Sequence, residues 1–144
     1  MAIAIASLVA WVLTALLGSY MLAKYVAAGG HRKPSSSKLP PSVIFGHFAL
    51  AAVGLVLWFI YVFTDNHPIG WTALALLAPV VVLGFVMFAI GLGTFRSQGT
   101  AAAPPDASPD APEMSFPVTV FTAHGVFAIA TIVLGLLAIL EVGG

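Results

Sequence analysis

The sequence predicts an all-α integral membrane protein, built as an up-down-up-down bundle of four transmembrane helices. The first observation is composition: of 144 residues, 60% are hydrophobic and 7% charged, whereas a soluble domain carries roughly a quarter charged residues. The second is four apolar stretches, each long enough to cross about 30 Å of hydrocarbon. The third is that turn-forming segments separate these stretches, which suits antiparallel neighbours in a single domain, 1–144.

The first span is predicted at about 3–27. Its apolar part is too long for a signal peptide and no positive charge precedes it, so we expect a retained helix. Ser7, Thr14 and Gly18 recur at helical spacing and form one stripe of small or weakly polar residues, where another helix can approach closely. Lys24, in the last turn, can reach the lipid headgroups along its apolar stem.

The second span is predicted at about 42–63. It comes after a loop, 29–41, that is rich in glycine, proline, serine and positive charge. Ser42 is the expected N-cap of the helix. Trp58 and Tyr61, near its far end, are expected to anchor it at the membrane interface.

The third span is predicted at about 71–95, after a short turn at 64–70 that contains Asp, Asn, Pro and Gly. Pro79 lies inside this span and removes one backbone hydrogen bond, so a kink is expected. Gly84 and Gly91 give the helix a face for close packing.

The fourth span is predicted at about 117–140, with Pro117 in its first turn. The preceding segment, 97–115, consists mainly of Ala, Pro, Ser, Asp and Gly and is too polar to bury a core. We expect a flexible connector there, which also contains Asp106, Asp110 and Glu113.

The positive charges predict the orientation. All five cations fall on one side of the predicted topology: Lys24, Arg32, Lys33, Lys38 and Arg96. The positive-inside rule then places both long loops in the cytoplasm and both termini outside, in a multi-pass protein of the plasma or inner membrane. The formal net charge is zero, and nothing in the composition indicates binding to nucleic acid.

Two histidines lie in apolar spans, His47 in the second and His124 in the fourth. An imidazole in hydrocarbon is costly, so an intramembrane histidine is by default a functional hypothesis. The second and fourth helices lie diagonally in such a bundle, and the predicted bounds put the two rings within about 3 Å of the same depth. A flat ligand between the helices could be gripped from both sides.

Small and aromatic neighbours of these histidines predict a slot for such a ligand. Alanine, glycine and threonine one or two turns from each ring would let a planar group approach the backbone, and phenylalanines would wall it. The predicted cofactor-binding residues, besides the two histidines, are Gly46, Phe48, Ala51, Gly54, Phe121, Gly125, Ala128 and Thr131. The alternative is that small residues form ordinary helix interfaces and each histidine hydrogen-bonds a Ser, a Thr or a carbonyl across the bundle.

Haem b is the cofactor that these donors fit best. The chain has no cysteine, which excludes thiolate-held clusters and covalent haem. Zinc needs three or four protein ligands, and the spans contain no Asp, Glu or Cys to complete the set. Haem iron needs only two axial ligands, here His47 and His124, so one haem is the limit. Its propionates would point to the basic side, toward Lys24, Arg32, Lys33 or Lys38.

A histidine pair on parallel spans of a four-helix membrane bundle resembles the b-type membrane cytochromes and the haem-carrying membrane anchors of respiratory enzymes. The resemblance concerns architecture and covers mainly the His47 and His124 segments. It implies a six-coordinate haem and one-electron transfer to or from a quinone or a partner protein. The predicted partners are therefore lipid, a quinone or redox subunits, in a homo- or hetero-oligomer.

The rival prediction is a haem-free accessory or assembly subunit of a larger membrane complex. Transport is disfavoured because no carboxylate lies within a span, and no catalytic residues are predicted because no nucleophile, base and orienting group share a plausible spacing. An electron-transfer protein or redox-complex subunit is thus expected, rather than a hydrolase or transferase. His31 and His67, in the predicted loop and turn, are expected to be solvated.

The two halves of the chain also show a weak internal repeat. When His47 is aligned with His124, Val43 matches Val120 and Ala51 matches Ala128, and a proline precedes each span. This pattern predicts two helical hairpins related by an axis along the membrane normal.

Overall fold

In the computed structural model the chain forms a four-helix bundle. The structure describes residues 1–32, 38–99 and 116–140, with side chains up to residue 92 in the middle range. The helices are α1 (Ala2–Ala27), α2 (Pro41–Thr64), α3 (His67–Gly99) and α4 (Val118–Ile139). Each is long and apolar enough to cross a membrane, in α3 over His67–Leu92. The predicted all-helical architecture with four candidate spans is confirmed.

The first residues of α2 and α4 differ from those predicted, and both helices directly follow a proline. The N-caps of α2 and α4 are Pro40 and Pro117, both in extended conformation, so the assignments of Ser42 as a cap and of Pro117 to the first turn are wrong. Pro41 takes the first position of α2, where its fixed φ fits the helix and its missing N–H is not needed.

The reversal between α2 and α3 is shorter than predicted, because α3 begins at His67 and includes half of the predicted turn. Asp65 adopts the left-handed conformation, with φ of 51°, and ends α2. The Asn66 carbonyl accepts the first backbone hydrogen bonds of α3, from Ile69 and Gly70. Pro68 therefore occupies the first turn of a helix, a position that proline tolerates.

Two further predictions concern α3 and the connector after it. Pro79 lies inside the helix, which continues on both sides of it. The backbone is helical through Gly99, so the helix ends later than predicted, and the predicted connector at 97–115 lies beyond that point outside the described residues.

The helices pack as two close pairs. α1 lies along α4 and α2 lies along α3, whereas α1 contacts α2 less and α3 contacts α4 only sparsely. The diagonal pairs, α1 with α3 and α2 with α4, make no backbone contact within the described residues. The helices that carry His47 and His124 are therefore diagonal, as predicted.

One half of the bundle is a tightly packed core around Trp58. This side chain is fully buried, its indole N–H donates to the Ala4 carbonyl oxygen at 3.3 Å, and its ring lies 6.3 Å from that of Trp11. Ser7, also buried, donates to the Thr131 carbonyl oxygen at 3.1 Å. The small-residue stripe of α1 thus packs against α4, and the buried Ser7 hydroxyl has a hydrogen-bond partner there.

The opposite half ends in a second apolar cluster, formed by Tyr25, Leu39 and Ile44. The Tyr25 hydroxyl donates to the Gly30 carbonyl oxygen at 2.9 Å and so ties the segment after α1 to the helix. Because Lys24, Arg32 and Lys38 belong to this end of the bundle, we call it the basic end.

The predicted internal repeat is supported by the packing. A rotation that exchanges α1 with α3 and α2 with α4 also exchanges the two close pairs, α1/α4 and α3/α2. Along α1 and α3, one constant shift in residue number matches the buried residues Ala4 with Gly70, Ser7 with Ala73, Trp11 with Leu77 and Tyr25 with Gly91. The same shift matches Gly18 with Gly84.

We expect replacement of Trp58 to weaken the bundle more than replacement of its neighbour Phe59. Trp58→Ala removes a fully buried ring and the hydrogen bond to Ala4, at a cost of about 3 kcal/mol. Phe59 is 52% exposed on the outer face, so Phe59→Ala should change stability little. Thermal unfolding in detergent, followed by circular dichroism, measures both. Equal midpoints for the two variants would contradict this account of the core.

Candidate cofactor site

The candidate site lies between the two apolar clusters, at one level of the bundle. His47 and His124 each stand six residues beyond the first residue of their helix, Pro41 and Val118 respectively. Both rings therefore lie about 9 Å along their helices from the basic end. Both residues are half-buried.

Each imidazole is bound to the backbone of a neighbouring helix. The His47 Nδ1 lies 2.9 Å from the Val80 carbonyl oxygen on α3, and the His124 Nδ1 lies 2.9 Å from the Thr14 carbonyl oxygen on α1. A carbonyl oxygen can only accept, so each Nδ1 carries the proton and donates it. In a neutral ring the Nε2 atom is then an unprotonated nitrogen with a free lone pair.

The two rings lie close together although their helices are diagonal. Their centroids are 6.4 Å apart and their planes are inclined by 54°. No hydrogen bond reaches either Nε2 from the described part of the chain. Two imidazoles in this state are neutral nitrogen donors, a form that binds metal ions.

Gly18 and Gly84 lie against these rings. The sequence had assigned Gly18 only to a stripe of small residues and Gly84 only to helix packing. A Cβ added at Gly18 would lie 3.0 Å from the His124 Cε1, and one added at Gly84 would lie 3.4 Å from the His47 Cε1. The sequence thus did not predict the residues that hold the rings, which are Thr14, Gly18, Val80 and Gly84. The repeat is the one sequence signal that relates these positions, since Thr14 matches Val80 and Gly18 matches Gly84.

Phe121 is a predicted lining residue on α4 that contacts α3 at the level of the histidines. Its ring stacks on that of Phe88, with centroids 5.5 Å apart and planes inclined by 8°. The stack bridges α3 and α4, which otherwise make few contacts. It lies about one turn from each of Gly84 and His124.

The other predicted lining residues do not form one open slot. A Cβ added at Gly46 or Gly125 would meet no neighbouring helix of the described bundle within 4 Å, and Phe48 is 40% exposed. Gly54 is buried against the Trp11 ring, and the Thr131 carbonyl is bound by Ser7. Helix packing thus occupies the space at Gly54 and Thr131 in which a slot was predicted.

Ala51 and Ala128 are half-buried, and Ala51 packs on the Trp58 core.

The remaining histidines lie away from the pair. His31 accepts a hydrogen bond from the Arg32 Nε at 3.0 Å, and the His67 ring lies edge-on to Tyr61 at 5.8 Å. Within the described ranges, no three His, Cys, Asp or Glu residues come together to hold a metal ion.

Comparisons with protein-family models, with curated proteins and with solved structures find no match.

We expect both histidines to carry their proton on Nδ1 in the protein without cofactor. Free histidine in water prefers Nε2–H, but only the Nδ1–H form donates to the Val80 and Thr14 carbonyls. The ¹⁵N shifts of the imidazole nitrogens distinguish the two forms, and His47→Gln and His124→Gln assign the signals. A predominance of Nε2–H in either ring would contradict the observed hydrogen bonds.

Proposed function

We propose that this chain is a membrane haem protein in which His47 and His124 are the axial ligands of one haem b. The observation that carries the proposal is the geometry of the pair. Two half-buried imidazoles converge at one level, each with its proton fixed on Nδ1 and its Nε2 unprotonated. Metal-binding histidines commonly donate their other ring N–H to a backbone carbonyl in this way.

The separation of the rings supports a single bridging metal. An imidazole nitrogen binds a transition metal at about 2 Å, and two such bonds with two ring radii span roughly 6.3 Å from centroid to centroid. The centroids of His47 and His124 are 6.4 Å apart.

The donor set favours haem over a bare ion. Zinc in proteins takes three or four protein ligands, and two imidazoles alone do not satisfy it. A porphyrin supplies four nitrogens of its own, and its apolar macrocycle suits a site between hydrophobic helices. The boundary between α3 and α4 has few contacts besides the stack of Phe88 on Phe121, so we propose that the macrocycle is accommodated on this side.

Haem held by two histidines supplies reversible one-electron exchange at the iron. In this chain the carbonyls of Val80 and Thr14 would make the two imidazoles stronger donors and hold them in place. A single haem near one face cannot move electrons across the whole membrane. We therefore propose that a quinone or a redox partner subunit exchanges electrons with it.

A second candidate function is a haem-free accessory subunit of a larger membrane complex. The cross-helix hydrogen bonds favour it, because the same bonds from His47 and His124 can join α2 to α3 and α4 to α1 with no cofactor present. The two proposals differ in whether the Nε2 atoms bind iron.

We further propose that the protein resides in the plasma or inner membrane with its basic end in the cytoplasm. Lys24, Arg32 and Lys38 belong to that end among the described residues, and Lys33 lies in the same loop of the sequence. Cations flanking spans are retained on the cytoplasmic side. Haem propionates directed to the basic end would meet these charges.

The purified protein from haem-replete cells is expected to carry about one low-spin haem per chain, because two axial nitrogens complete the iron coordination. Its Soret band should shift and its visible bands sharpen on reduction with dithionite. His47→Ala and His124→Ala should each lose the low-spin spectrum and retain less haem, while helix content and membrane insertion persist.

His31→Ala is the matched control, since His31 interacts with Arg32 in the segment after α1 and should leave the spectrum unchanged. A colourless wild-type protein would reject the haem proposal and favour the accessory subunit. A normal low-spin spectrum in either ligand variant would reject the pairing.

Labelling of single cysteines tests the orientation, and the natural chain contains no cysteine to interfere. Ala28→Cys, just after α1, marks the basic end, and Asn66→Cys marks the reversal between α2 and α3. On intact cells or spheroplasts, a membrane-impermeant maleimide should label Asn66→Cys and reach Ala28→Cys only after permeabilisation. The reverse pattern would overturn the orientation.

A further inference from the structure

Gly18 and Gly84 each lie one helical turn beyond the carbonyl that binds a histidine. On α1, Thr14 accepts the hydrogen bond of His124 and Gly18 contacts the same ring. On α3, Val80 accepts the hydrogen bond of His47 and Gly84 contacts that ring. Each imidazole thus rests on one turn of a neighbouring helix, with the carbonyl at one end and the glycine at the other.

The backbone at each glycine lies so close to the ring that an added Cβ would meet it. At Gly18, an added Cβ would stand 3.0 Å from the His124 Cε1 and 3.4 Å from its Nδ1. At Gly84 the corresponding distances to His47 are 3.4 and 3.8 Å. A methyl group at Gly18 would therefore displace His124, whereas one at Gly84 would stand in ordinary van der Waals contact with His47.

A hydrogen bond alone does not fix the plane of an imidazole. The terminal torsion of histidine is broad, and a ring can rotate about its bond to the carbonyl while Nδ1 stays in place. The helix backbone at Gly18 or Gly84 lies beside the Cε1 edge of the ring and limits this rotation. The missing side chain at each glycine lets the ring lie directly against the helix backbone.

We propose that Gly18 and Gly84 are positioning residues that set the planes of the His124 and His47 imidazoles, and with them the angle of 54° between the rings. Each ring belongs to one helical hairpin, and the turn that holds it belongs to the other hairpin. The consequence for haem rests on the proposed function. In ferric low-spin haem, the angle between two axial imidazole planes governs the splitting of the iron d orbitals and thus the principal g values.

The positioning itself is tested in the protein without cofactor. Gly18→Ala should shift the imidazole resonances of His124 and leave those of His47 in place, and Gly84→Ala should do the reverse with a smaller shift. General loosening of the bundle would move both sets together. Ser19→Val and Ala89→Val, which add bulk at exposed positions on the same helices, are the controls and should move neither set.

The consequence for haem is tested by low-temperature electron paramagnetic resonance of the ferric protein. The largest g value should change in Gly18→Ala, change less in Gly84→Ala and stay the same in both controls, with haem still bound. If Gly18→Ala does not fold, Gly84→Ala decides: its added Cβ, 3.4 Å from the His47 Cε1, is accommodated without unfolding and fills the space into which that ring could turn.

The outcomes separate the two proposals. Histidine resonances that do not respond to their own glycine would overturn the positioning role, whatever the protein binds. A wild-type protein without haem would overturn the proposed function, while the cross-specific shifts would still decide the role of the glycines. Unchanged g values beside shifted resonances would show that haem, once bound, sets the planes itself, and would overturn the positioning of axial ligands.

Discussion

The hydrogen bonds from two histidines to backbone carbonyls of neighbouring helices are the constraint on which this site depends. A buried polar group without a partner costs about 1–3 kcal/mol, and apolar helices offer few side-chain partners. The carbonyls of Val80 and Thr14 already bond within their helices, yet each has a second lone pair that can accept. The histidines therefore satisfy their Nδ1–H groups only when α2 lies on α3 and α4 lies on α1, which are the two close pairs of the bundle.

The same bonds leave an unprotonated nitrogen on the other side of each ring. Once Nδ1 donates, no donor from the described residues meets the Nε2 lone pair. A histidine that only joined two helices would need no second imidazole at 6.4 Å. A metal centre that takes one nitrogen from each ring satisfies both lone pairs at once, whereas the accessory-subunit alternative leaves both without a partner from these residues.

The sequence was sufficient to predict four helices long and apolar enough to span a membrane, the diagonal position of α2 and α4, and the common level of His47 and His124 in the bundle. These features depend on apolar length and on connection length, which are properties of the chain alone. The helix ends were predicted less well, because Pro40, Pro68 and Pro117 fit more than one position near a helix start. The residues that hold the rings were missed for a different reason. A helix that is hydrophobic all round carries little periodic signal to show which face meets a given neighbour, so the contacts of Gly18 and Gly84 depend on rotations that only packing decides.

The internal repeat explains why the bundle offers one such site. An axis between two related hairpins receives one histidine from each, and these are the only matched histidines in the spans. In the other half of the bundle, the position that matches Trp58 is Gly135, and a Cβ added at Gly135 would lie 3.8 Å from the Trp58 ring. The large ring of one hairpin thus packs against the glycine of the other, and Trp11 packs against Gly54 beside it. This departure from exact repetition fills that half with side chains, whereas at the level of the two imidazoles the matched side chains lie close together, with centroids 6.4 Å apart.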